Sequence, residues 1–184
     1  MVEKQLKTWF RRSLLRWNSD KNDRKMPWKG ITDPYKIWLS EIMLQQTRVE
    51  QGMGYYNRFI ERFPTVHLLA QSAENQVFKL WEGLGYYSRC RNLIATAKIV
   101  SLELHGRFPD TLEGLLSLKG VGPYTAAAIG SFAFGLPHAV VDGNVIRVIS
   151  RFMGITAPTD QSDVKKKLAL LAQELLDEKN PAVY

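Results

Sequence analysis

The sequence predicts an all-α fold, and three observations carry that expectation. Apolar residues recur at three- and four-residue spacing, as at Leu6, Phe10, Leu14 and Trp17, which is the period of one helical face. Helix-start chemistry sits where such runs begin: Asp33-Pro34 and Gly122-Pro123 place a proline where the first turn has no use for a backbone N–H. No alternating run is long enough for a strand, and Ala139-Val140-Val141 is too short to count.

Composition narrows the class. The 184 residues are 45% hydrophobic and 23% charged, as in an ordinary globular chain with one sizeable core or two small lobes sharing a cleft. Lys and Arg number 25 against 18 Asp and Glu, a net charge of +7. That excess favours a polyanionic partner, because basic side chains displace the counterions of nucleic acid. The single cysteine, Cys90, excludes an internal disulfide and suits a reducing compartment. Met1-Val2-Glu3-Lys4 opens no apolar signal core, and no run approaches a membrane span. A cytoplasmic protein is expected, nucleoid-associated if bacterial, with no membrane partner.

Along the chain, residues 3–17 read as an amphipathic helix and 18–25 as a polar loop. Trp28, in Met26-Pro27-Trp28, is either a core plug or a stacking surface at a cleft. Asp33 caps a helix running through Tyr35 to Thr47. On it, Glu41 lies three residues after Trp38 and three before Leu44, so it shares their apolar face. It is either a carboxyl whose proton affinity is raised by apolar neighbours or a surface glutamate on a broad amphipathic helix. Gly52 and Gly54 are expected to loosen that helix's end, with Tyr55, Phe59 and Phe63 continuing a helical pattern to Pro64.

Residues 73–82 form a short helix with Val77, Phe78 and Trp81 on one side, ended by Gly83. The turn from Gly83 to Arg89 carries Tyr86, Tyr87 and Arg89; it suits either wedging into stacked bases or packing a helix junction. Leu93, Ala97, Val100 and Leu104 stripe another helix closed by Gly106, and Thr111 caps a short one to Leu118. A helix from Asp142 carries Val145, Ile149 and Phe152, and a last stripe runs through Val164, Leu168, Leu171 and Leu175. Lys165-Lys166-Lys167 reads as its solvated face. Asn180 to Tyr184 looks like the start of a further helix, so the chain reads as a piece of a longer one.

The stretch from Leu118 to Asn144 concentrates the chemistry. Gly120 and Gly122 allow a tight turn with positive φ and close approach to another molecule. Pro123 starts the following helix, so the turn's free N–H groups make a phosphate seat. Asp142 is the only carboxylate between Glu113 and Asp160, and at a helix N-terminus its anionic form is favoured.

These segments together resemble the helix-hairpin-helix DNA glycosylase superfamily, in its adenine-specific MutY-type branch. The likeness rests on Met26-Pro27-Trp28, on Trp38 to Thr47, on Gly83 to Arg89, on Leu118 to Thr125, and on Val141 to Val148. It implies two helical lobes with the active site in the cleft between them. About 30–135 would form a six-helix lobe including a hairpin at 111–135; 1–29 and 136–184 would contribute to an incomplete second lobe. The implied partner is double-stranded DNA containing adenine opposite 8-oxoguanine or guanine, bound by a monomer, with the target base flipped out.

The resemblance also implies roles. Glu41 would protonate the adenine and then assist the attacking water, and Asp142 would stabilise or trap the sugar cation. Tyr124 would hydrogen-bond near Asp142, and Asn144 would orient it. Gln46 and Tyr86 would fill the duplex beside the flipped base, and Trp28 and Leu44 would wall its pocket. Gly120, Val121 and Gly122 would grip a phosphate, with a monovalent or calcium ion on backbone carbonyls at Leu118 and Val121. Family members commonly carry a four-iron cluster on four cysteines beyond the equivalent of Tyr184, and a domain that inspects 8-oxoguanine. No cluster ligand falls within residues 1–184.

The chemistry is self-consistent. Cleaving the N-glycosidic bond needs a proton on a poor leaving group and a negative charge under the sugar cation, the division of labour of glycoside hydrolysis. Bifunctional relatives place a lysine where this chain has Tyr124, and a Schiff base needs that amine. A monofunctional enzyme is therefore expected. The alternatives are a sister enzyme acting on T/G mismatches and a truncated, non-catalytic DNA-binding module.

Overall fold

Apolar stripes from two groups of helices close over two separate cores in the computed structural model, which describes residues 3–183. Among the described residues all regular structure is helical, and no helix is long and apolar enough to cross a membrane. The expectations at Met1 and Val2, and at the Tyr184 end of a last helix, lie outside the described residues. Residues 180–183 form a bend and a turn rather than a helical start.

The first group runs from α2 to α8. Asp33 caps α2 (Pro34–Leu44), its carboxylate accepting from the N–H groups of Tyr35 at 2.9 Å and Lys36 at 3.4 Å. All of α2 from Ile37 to Met43 is buried, so it is a central helix with no solvent face. It stops at Leu44, three residues before Thr47, because Gln46 turns left-handed at φ 57°. Gly52 and Gly54 lie inside α3 (Val49–Arg62) and do not loosen a helix end. A Cβ on Gly52 would come within 2.9 Å of Leu44 Cδ2, so this glycine lets α3 approach α2.

A short helix that the periodicity does not announce, α4 (Val66–Gln71), follows Thr65, whose hydroxyl accepts from Leu68 N–H at 3.3 Å. Then come α5 (Glu74–Trp81) and α6 (Tyr87–Lys98), the latter running into a π-helical turn at Ile99–Glu103 that Gly106 closes at φ 82°. The hairpin helices are α7 (Leu112–Leu116) and α8 (Pro123–Phe134). Trp38, Phe59, Phe63 and Trp81 are fully buried at the centre, with Phe59 edge-on to Trp81 at 5.9 Å.

The second group joins the start of the chain to its last third. Phe10 of α1 (Lys4–Lys21) packs against Phe152 of α9 (Gly143–Phe152) at 4.6 Å and shares a core with Leu168 and Leu175 of α10 (Ser162–Leu175). Helix α1 continues to Lys21, past the expected end at 17, because its polar end caps itself. Asn22 donates from its backbone to the Trp17 carbonyl at 3.1 Å and from its amide to Asn18 Oδ1 at 2.7 Å. Arg11 donates to the carbonyls of Leu175 at 3.0 Å and Glu174 at 3.2 Å, capping α10 from α1.

Trp81 links the first core to the turn after α5, its Nε1 donating to the Gly85 carbonyl at 3.0 Å. Trp81→Phe leaves that carbonyl unpaired and is expected to cost about 1–3 kcal/mol, read as a lower denaturant midpoint at unchanged m-value.

Candidate active site

Two helices of the first group, one helix start of the second and one turn meet at a cleft of about 580 Å³. Its lining includes Glu41 and Leu44 of α2, Gln46 beyond its end, Tyr86 of the α5–α6 turn, Tyr124 of α8, and Asp142 at the start of α9. Six of the expected site residues are thus brought together from segments scattered along the chain. No lysine lines the cleft.

Glu41 sits on the floor, 8% exposed. Burial raises its pKa from 4.5 to about 7; a hydrogen bond from the Tyr124 hydroxyl opposes the shift, and the charge of Asp142 adds to it. The buried-acid reading of Glu41 holds, and the surface reading does not. Tyr124 is 37% exposed overall, but its hydroxyl end is sheltered. Burial first, then the nearby charge of Glu41, push its own ionisation far above the ordinary range. It is therefore a neutral hydrogen-bond donor to Glu41, in a cleft that Asp142 also lines.

Asp142 is fixed differently. It caps α9, with Oδ1 accepting from Val145 N–H at 2.7 Å and Oδ2 from the Asn144 amide at 2.8 Å. Both donors and the helix N-terminus stabilise negative charge at that spot. Asn144 thus reaches the carboxylate it is expected to orient, and its own Oδ1 accepts from Arg147 at 2.7 Å. Arg147 was not singled out from sequence, although its place three residues after Asn144 on one helix face was the available signal.

Two more residues change meaning. Tyr86, 61% exposed and left-handed at φ 49°, projects at the rim, whereas Tyr87 tilts onto Phe78 at 6.2 Å. Arg89, expected to stand on the turn as a basic contact, points inward to carbonyls at the end of α2. Burial lowers its pKa. Gln45, next to the exposed Gln46, donates to Thr125 Oγ1 at 3.3 Å and ties α2 to α8.

The remaining candidates lie outside the cleft. Trp28 does not line it; half-buried, the ring meets Tyr56 edge-on at 5.2 Å against the first core. Of the two glycines in the hairpin's turn Gly120 takes positive φ, at 75°, where a Cβ would strike Asn92 Cβ at 2.8 Å. Gly122 is extended at φ −91° and faces open space, so its use is close approach rather than a left-handed turn. The N–H groups of Gly122, Tyr124 and Thr125 have no acceptor among the described residues. Thr96 Oγ1 donates to the Lys119 carbonyl at 2.8 Å and anchors the hairpin from α6.

Among the described residues no group of three or more His, Cys, Asp or Glu side chains could hold a metal. Cys90 is buried in the first core, which pushes its thiol pKa up to about 12. The described residues therefore do not fit an iron-sulfur cluster.

A family profile described as HhH-GPD superfamily base excision DNA repair protein matches residues 39–174. The chain belongs to this superfamily. As an HhH-GPD protein it is 45% identical, over 186 aligned residues, to the adenine DNA glycosylase of Rattus norvegicus, covering 96% of this chain and 36% of that one. It is 42% identical over 146 residues to the adenine DNA glycosylase of Buchnera aphidicola subsp. Baizongia pistaciae, covering 79% and 42%. The chain thus spans less than half the length of these relatives. Among solved structures, a thermostable thymine-DNA glycosylase superposes with TM-score 0.82 at 26% identity, covering 97% of this chain and 84% of that one.

The raised pKa of Glu41 has a stability consequence. In the unfolded chain the group ionises near 4.5, in the folded HhH-GPD chain near 7. Between those values the folded state keeps a proton the unfolded state has lost, so stability falls as pH rises and stays lower above about 7. Glu41→Gln removes this penalty. Urea unfolding is expected to show it more stable than wild type at pH 8 by up to about 3 kcal/mol, with no gain from this source at pH 4.

Proposed function

We propose that this chain is the catalytic region of a monofunctional adenine DNA glycosylase of base excision repair. It hydrolyses the N-glycosidic bond of adenine mispaired with 8-oxoguanine or guanine in double-stranded DNA. The observation that carries this is the meeting of two acids and the Tyr124 hydroxyl in one cleft, Glu41 buried, proton-binding and bonded to that hydroxyl, Asp142 held by donors of its own. The adenine-glycosylase names of the relatives support the choice of base.

In this reading Glu41 gives its proton to a ring nitrogen of adenine, so the base leaves neutral with the bonding electron pair. Asp142 faces the positive sugar that remains. Water adds to that sugar and passes a proton back to Glu41, restoring the enzyme. Tyr124 offers no amine and no lysine lines the cleft, so no Schiff base forms and the strand is not cut. Flipping is required because the scissile bond lies within the stack, and Gln46 and Tyr86 at the rim fill the vacated space in this reading. The free N–H groups of the hairpin bind a backbone phosphate.

A monovalent or calcium ion at the hairpin fits as well. The Leu118 carbonyl accepts from Val121 N–H at 3.2 Å and keeps a lone pair, and the Val121 carbonyl has no donor among the described residues. Such an ion would supply positive charge beside the phosphate. An iron-sulfur cluster or an 8-oxoguanine-reading domain would belong to a longer protein, with cluster ligands outside residues 1–184. The enzyme would act as a monomer in the compartment that holds the DNA.

The test incubates the 184-residue chain with duplexes carrying A opposite 8-oxoguanine, A opposite G, and T opposite G. Adenine release is expected from the first two, falling as pH rises through about 7. Glu41→Gln and Asp142→Asn are each expected to slow it at least about a hundredfold. Release of thymine instead would favour a T/G enzyme, the reading supported by the superposed thymine-DNA glycosylase. Binding with no base released would leave a DNA-gripping module.

A further inference from the structure

We propose that Arg89 is a positioning residue that joins Gln46 and Tyr86 into one rigid two-pronged wedge and ties that wedge to the helix carrying Glu41. This rests on reading the cleft as a base-flipping site.

The guanidinium bridges two segments far apart in sequence. From Nη1 it donates to the carbonyls of Ile42 at 3.1 Å, Met43 at 3.2 Å, and Gln45. From Nη2 it donates to the Leu84 carbonyl at 3.1 Å and Thr47 Oγ1 at 3.5 Å. Its carbon lies 5.4 Å from the ring centres of both Trp81 and Tyr86. Nε is buried with no partner, so the fork of Nη1 and Nη2 holds the group in place.

What it holds is strained backbone. Among the described residues, the non-glycine positions with positive φ are Gln46, Tyr86 and His105. Two of the three flank the Arg89 fork: Gln46 follows the bonded Gln45 carbonyl, and Tyr86 stacks on the guanidinium. A left-handed non-glycine residue persists only where its surroundings over-determine it, and these contacts do so for both at once. Lysine cannot replace the fork, since one ammonium on a flexible stem cannot span carbonyls of two segments in fixed geometry. Ile42 and Met43 directly follow Glu41, so a shift of the wedge is transmitted to the catalytic helix.

The measurement is fluorescence of 2-aminopurine placed opposite guanine in a duplex, at saturating protein. Wild type is expected to raise it as the base unstacks. Arg89→Lys is expected to give a rise at least about fivefold smaller with duplex affinity changed less than about threefold, because phosphate contacts, not the wedge, set affinity. On a Tyr86→Ala background Arg89→Lys should cost nothing further, the non-additivity of residues acting as one unit.

A second readout needs no variant. The N–H groups of Thr47 and Arg89, bonded to the Leu44 carbonyl at 3.1 Å and the Tyr86 carbonyl at 2.9 Å, should exchange through one opening, with protection equal within about threefold. The proposal is overturned by an Arg89→Lys rise within about twofold of wild type, by additive losses, or by protections differing more than about tenfold. It is also overturned if wild type produces no rise. Fluorescence requires no bond cleavage, so a wild type that unstacks the base without releasing adenine sinks the proposed activity and leaves this inference standing.

Discussion

Keeping the carboxyl of Glu41 out of water, on a helix that has no solvent face, is the constraint on which the site depends. Helix α2 is packed by α3 on one side and by α8 on another, and each approach is arranged in detail: Gly52 admits Leu44, and Gln45 bonds Thr125. A buried carboxyl without a partner would be costly when charged. It is tolerated here because it can take up a proton and because the Tyr124 hydroxyl from α8 reaches it. The large aromatic centre of Trp38, Phe59 and Trp81 supplies apolar burial enough to carry that local penalty.

The second carboxylate comes from the other core. Asp142 belongs to the helix that packs on α1 and α10, so the two acids are held by separate hydrophobic clusters. Their local settings differ: one is dry and bonded to Tyr124, the other caps a helix and receives two donors. Arginines perform matching tasks in the two groups. Arg11 takes the last carbonyls of α10, and Arg89 those of α2. Each satisfies groups that a helix end leaves open and joins segments distant in sequence.

The ends of α2 show what could be read in advance and what could not. Its start was legible because Asp33-Pro34 is local chemistry: a side chain bonds N–H groups two and three residues on. Its end was not, because Gln46 turns left-handed among contacts from Arg89, far along the chain. Helix α4 escaped notice because six residues are too few for a stripe to repeat. The roles of Tyr86 and Tyr87 had to stay open until their neighbours were known. Trp28 packs away from the cleft because Tyr56, from α3, offers a ring face there.

By itself the sequence determined the helical class and most helix starts and offered the candidate site residues, since periodicity, capping and motif spacing are properties of adjacent residues. It also marked Glu41 as an acid on an apolar face. The tertiary structure alone decided that this face is buried and that its proton affinity rises. It decided too that Tyr124 bonds Glu41 in a cleft shared with Asp142 from the other group of helices, and that Arg89 faces inward. Those outcomes depend on desolvation and on distances between segments, and neither is a property of any local stretch of chain.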